Sequence, residues 1–111
     1  MGYTFKLEDP KIPARQDTAN FHDIYYDEDP FLSNCTVENA RLDQEHIDQL
    51  VLTKVTFKNV SFAGTSFPRI DMTDVVFENC DLSNANLCEG IIHRVRFSEC
   101  KLMGIDFSGA N

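Results

Sequence analysis

Long apolar runs are missing from this chain of 111 residues. Nothing in it approaches the ~18–20 apolar residues that a membrane-crossing helix needs, so no membrane span is expected. The opening MGYTFKLEDP has no apolar core and carries acids early, so no secretion signal is indicated and a cytoplasmic protein is expected. Lys6 also stands where an N-myristoylation signal wants Ser or Thr. Close cysteine pairs are missing too. Cys35, Cys80, Cys88 and Cys100 form no C-x-x-C, and His22, His46 and His93 are scattered. Reduced thiols, no metal and no other cofactor are therefore expected. Bases are scarce: 10 Lys and Arg against 18 acids leave a net charge of −8. Such a surface repels phosphate backbones, so direct nucleic-acid binding is not expected. A basic partner, or simple solubility, remains open. No nucleophile elbow, phosphate loop, H-E-x-x-H or EF-hand loop occurs, so the reading is of a protein that is not an enzyme.

What the sequence does have is a period. In VVFENCDLSNANL, residues 75–87, an apolar residue returns at every fifth place. A helix asks for returns at three and four residues and a strand for alternation; five fits neither. Counting in fives from Leu32 gives sixteen apolar residues in succession: Leu32, Val37, Leu42, Ile47, Leu52, Phe57, Phe62, Phe67, Met72, Phe77, Leu82, Leu87, Ile92, Phe97, Leu102 and Phe107. At 42% hydrophobic content, chance would produce this about once in a million, so the repeat is real. Positions two before these centres are mostly small or β-branched. Of the sixteen positions two after them, half are Asn or Gly, which tolerate turns.

One short straight edge and one corner describe such a unit, and four edges close a square. Residues twenty apart should then stack. VTFKNVSFAG at Val55, VVFENCDLSN at Val75 and VRFSECKLMG at Val95 are spaced by twenty, with CTVENARLDQ at Cys35 as a weaker first copy. Val37, Phe57, Phe77 and Phe97 should form one column, aromatic on aromatic. Cys80 and Cys100 should be stacked neighbours inside, packed as small hydrophobes, with Cys88 the most accessible thiol. The fold class expected is all-β, a four-sided solenoid of about four coils from residue 31 to 111, its backbone paired between coils ~4.8 Å apart. Residues 1–30 lack the repeat. They read either as an acidic, aromatic arm containing DIYYDEDP or, preferably, as a cap. In the cap, Tyr3, Phe5, Leu7, Ile12, Phe21 and Ile24 would cover the open end of the first coil.

FENCDLSNANL and FSGAN resemble the pentapeptide-repeat family, over residues 31–111. That resemblance implies a right-handed quadrilateral β-helix. CTVENARL, VVFENCDLSNANL and HRVRFSECKLMGIDFSGAN are most similar to the Phe- and Cys-rich quinolone-resistance members of bacteria. The resemblance to that subgroup implies binding to DNA gyrase or topoisomerase IV by mimicry of duplex DNA. A structural or assembly module with no topoisomerase role is the alternative.

Some residues stand out against the repeat. Glu45 occupies a small inward position, so a distorted first coil with a helical or looped excursion over residues 41–50 is expected. Asp71, Asp74, Glu78 and Asp81 are candidate partner-binding acids, although they fall on successive edges. His93, Arg94 and Arg96 should face solvent, with Asp74 one coil below Arg94. The chain stops one residue short of its next centre, which would leave Ile92, Phe97, Leu102 and Phe107 exposed above unpaired strand edges. This reads as a truncated chain or as a short protein forming an end-to-end homodimer.

Overall fold

A computed structural model describes residues 9–22 and 29–111, and the backbone of residues 3–6. Its strands are β1 (Tyr3–Lys6), β2 (Asp17–Thr18), β3 (Phe31–Glu38), β4 (Val51–Lys58), β5 (Asp71–Glu78) and β6 (Ile91–Cys100), and the described residues contain no α-helix. β3 to β6 are parallel neighbours, each residue beside the one twenty places on: Val37 beside Phe57, Phe57 beside Phe77, Phe77 beside Phe97. Arg41, Ser61, Asp81 and Lys101 bridge in the same register on a third side, and His46, Ser66, Asn86 and Asp106 on a fourth. The chain is an all-β, four-sided solenoid of about four coils. Its backbone groups alternate between the coils above and below, as when Leu42 N–H donates to Ser61 O at 2.7 Å and Ser61 N–H to Ala40 O at 3.0 Å.

The corners explain the period. Every position two after a centre, from Asn34 to Gly109, has a positive φ between 51° and 75°. A left-handed residue every fifth place turns the strand through one corner, after which apolar side chains again face inward. Asn and Gly supply half of these corners. Asp74 also tolerates this conformation, whereas Gln44, Gln49, Lys54, Arg69, Glu89, Arg94 and Glu99 adopt it against their preference.

The central residues of the first three coils are all buried. Phe57 and Phe77 stack with centroids 5.1 Å apart, Phe77 and Phe97 with centroids 5.0 Å apart and rings 7° from parallel. Phe62 meets Phe57 edge-on at 5.1 Å. Such pairs add about 0.5–1.5 kcal/mol each beyond their area burial. With extents of 30 × 29 × 26 Å, the molecule is as wide as it is tall. Four coils make a block, not a long rod.

The first coil corrects an expectation. Residues 41–50 follow the same bridge-and-turn path as later coils, with Leu42, Ile47 and Leu50 buried and no excursion. Glu45 is accommodated because its carboxylate reaches His22 at 3.8 Å instead of entering the core. The centres of this coil, Leu32, Val37, Leu42 and Ile47, are smaller than phenylalanine. Phe21 fills the space they leave, with its ring 6.2–6.3 Å from those of Phe57, Phe62 and Phe67.

The N-terminal region does more than close the first coil. β1 lies antiparallel on β6, pairing Phe5 with Phe97 and Lys6 with Arg96, at the opposite end from the one expected for Tyr3 and Phe5. The chain then descends the second side, and β2 pairs in parallel with β3. Both edges of that side are thus closed. This descending strap buries outward-facing residues: Thr56, Val76 and Asp74 are all buried. Leu7, Ile24 and most of DIYYDEDP lie outside the described residues.

Candidate interaction surfaces

The four candidate acids do not meet. Asp71 lies on the first side, in a column running Phe31, Val51, Asp71, Ile91. Glu78 is on the second side, 3.8 Å from Arg96. Asp81 is on the third side; it accepts the Ser83 N–H at 2.9 Å, and its contacts with Ser83 hold the carboxyl below its usual range. No outward column is a row of acids: Glu38, Lys58, Glu78 and Ser98 share one, Arg41, Ser61, Asp81 and Lys101 another.

Asp74 is not a surface acid at all. Its side chain is 4% exposed and that of Arg94 20%, where a solvent-facing pair was expected. Arg94 donates Nε to Oδ1 at 2.5 Å and Nη2 to Oδ2 at 3.0 Å, while the Lys11 backbone N–H donates to Oδ1 at 2.9 Å. The hydrogen bonds from Arg94, more than the opposing effect of burial, lower the carboxyl to about 2. Asp74 is therefore a latch between the strap and the coils, and it is unavailable to a partner. The sequence places Asp74 one coil below Arg94, but nothing periodic announces the strap that covers them.

Gln16 is the second fastening. Its Oε1 accepts from Thr56 Oγ1 at 2.8 Å and Thr36 Oγ1 at 3.3 Å, and its Nε2 donates to Lys54 O at 2.6 Å. Sequence reasoning passed over this residue, because a lone glutamine outside the repeat carries no signal.

Two surfaces stand out. Among the described residues, the exposed large apolar side chains are Phe31 at 49%, Val51 at 39%, Ile91 at 50% and Met103 at 78%. The first three fall in the single column that contains Asp71, which stands between Val51 and Ile91. An apolar stripe with one acid in it has the chemistry of a contact surface, not of a solvated face. The other surface is the end coil. Phe97 is fully buried, against expectation, and β1 lies along that edge; Ile92, Leu102 and Phe107 are half-buried. Among the described residues, the N–H groups of Leu102, Gly104, Phe107 and Gly109 have no partner, whereas their counterparts one coil below, Leu82, Asn84, Leu87 and Glu89, all donate upward.

The cysteines are free, Cys35, Cys80 and Cys100 being buried. Cys80 Sγ and Cys100 Sγ contact Phe57 O and Phe77 O at 3.5 and 3.3 Å, each one coil down. The contact with Cys100, together with burial, holds the Cys80 thiol well above its usual range. Among the described residues no group of His, Cys, Asp and Glu could hold a metal ion, and no helix is long and apolar enough to cross a membrane.

Comparison with known proteins matches residues 50–111 to the family described as "Pentapeptide repeat region". The uncharacterized protein YisX of Bacillus subtilis (strain 168) is 38% identical over 104 residues, which are 94% of this chain and 49% of that protein. The chain thus spans about half the length of that relative.

Proposed function

The chain belongs to the pentapeptide repeat family, and from that premise we propose that it is a non-enzymatic, protein-binding block that displays side chains in fixed columns. The observation that carries this reading is the exposed stripe of Phe31, Val51 and Ile91 around Asp71. Apolar side chains held in strict register present a pre-organised surface, and little conformational entropy is lost on docking. The lone carboxylate favours a partner with a basic side chain between apolar neighbours. Affinity capture with the wild type and with the double variant Phe31→Ser, Ile91→Ser tests it. Both substitutions are on the surface and should leave the circular-dichroism spectrum unchanged. A partner retained equally by both proteins removes the stripe as its binding site.

A narrower version makes the partner DNA gyrase or topoisomerase IV, bound through duplex mimicry. Its support is the likeness of FENCDLSNANL and its neighbours to the quinolone-resistance members. The mixed signs of the outward columns weigh against a row of phosphate-like charges. A supercoiling assay with and without ciprofloxacin separates the versions: inhibition or protection at micromolar protein supports the narrower one, and neither effect removes it.

The end coil supplies a further contact in this reading. Ile92, Leu102 and Phe107, with the four unpartnered N–H groups, fit a second copy meeting the first end to end. Phe97 is withdrawn from that interface. Light scattering should give twice the chain mass, and Phe107→Glu should return it to one. A wild-type monomer at high micromolar concentration removes the homodimer and leaves a structural or assembly module with other end partners.

A further inference from the structure

The strap stands off the second side along part of its length, leaving a cleft of about 410 Å3 between residues 12–16 and the coil faces. The charge there is opposite to that of the molecule. Arg15 enters from the strap, Lys58 from β4 and Arg96 from β6, against one lining acid, Glu78. On a chain of net charge −8 this is a concentration of cations. Among the described residues, Arg15 and Lys58 make no ion pair, and Arg96 reaches Glu78 only at 3.8 Å, with their side chains 39% and 41% exposed. Glu38 stands beside Lys58 in its column but does not line the cleft. The hydroxyls of Thr36 and Thr56 are committed to Gln16 and so fix the strap wall. The guanidinium and ammonium groups are left as the cleft's binding groups.

We propose that this cleft binds a small multivalent oxyanion, phosphate- or carboxylate-bearing, held between Arg15 on the strap and Lys58 and Arg96 on the coils. Arginines contributed by both the strap and the coils suit oxyanions, which accept paired hydrogen bonds from a guanidinium fork. More than one negative charge is needed, because the ligand must displace Glu78 from Arg96. The cleft lies in the size range of small-molecule sites and is bounded by the strap, which favours a compact ligand over a polymer. Since the ligand bridges the strap and the coils, binding also tightens the strap.

The test is a titration of the full chain at low salt with pyrophosphate and, in a separate arm, with citrate, read by NMR at the arginine Nε–H groups. Saturable shifts at Arg15 and Arg96 are expected, with Arg41 and Arg69, which are paired with Asp43 and Asp48 on other sides, unmoved. Arg15→Gln and Arg96→Gln should each weaken binding about tenfold or more. Glu78→Gln should tighten it, whereas Glu89→Gln, the same charge change at a distant corner, should not. Saturation by pyrophosphate alone assigns phosphate chemistry, and by citrate alone carboxylate chemistry. Shifts that grow linearly at every arginine, or binding indifferent to both arginine variants, overturn the site.

Discussion

Single residues at the corners carry a cost that the repeat imposes. Lys54 is exposed and has a φ of 55°. A left-handed conformation costs a non-glycine residue roughly 1–2 kcal/mol, and Asn bears it better. Lys54→Asn should therefore raise stability by about 0.5–1 kcal/mol, read as a higher urea midpoint with an unchanged slope. Gly104 shows the opposite limit: at a φ of 75°, an added Cβ would run into Asn84 Oδ1, so Gly104→Ala should destabilise. A third residue-scale case is Thr65, which is buried with an Oγ1 that finds no partner among the described residues. An orphaned hydroxyl costs about 1–3 kcal/mol, so Thr65→Val should be neutral or stabilising by about 1 kcal/mol. A clear loss of stability in that variant would show that Oγ1 is satisfied after all.

At the scale of elements, the strap and the plug behave differently from the coils they hold. Phe21 lies outside the repeat, yet it touches three rings of the second coil. Phe21→Ala should cost ~3–5 kcal/mol, as much as Phe77→Ala, while Glu78→Ala should cost little. Equal losses from Phe77→Ala and Glu78→Ala would contradict the inward and outward assignment. The strap's latch is sensitive to acid. Asp74 titrates at about 2 in the fold against an ordinary 3.8, so its contribution is complete above 3.8 and fades as pH falls through 2. Asp74→Asn should be less stable than wild type at neutral pH. The difference between the two should shrink toward zero as the pH is lowered from about 4 to 2, as urea titrations at each pH would show.

At the scale of the whole molecule, what could be read in advance depended on periodicity. The column of Val37, Phe57, Phe77 and Phe97 is dictated by a spacing that recurs in every coil, so one sequence window suffices to see it. Glu45 looks disruptive only if every inward position must be filled. The first coil turns that side chain toward His22. The strap was illegible for a different reason. It is held by a backbone N–H at Lys11 and by the amide of Gln16, contacts that follow from where the chain passes and not from residue pattern. The burial of Asp74 was illegible on the same ground, since only the path of the strap covers it. Cys88 offers a check on the whole arrangement. It is half-buried while the other three thiols are buried, so native protein should take up one equivalent of a thiol reagent at Cys88 well before the others.

The pairing of β1 with β6 sets an order of events during synthesis. Tyr3 lies beside Cys100, so β1 leaves the ribosome about a hundred residues before the strand it pairs with. At about 5–20 residues per second, the wait is on the order of 5–20 s. Coils can accumulate one on another through that interval, but β1 stays undocked until β6 emerges. A chaperone or a neighbouring nascent chain therefore meets a growing stack whose fastening has yet to arrive.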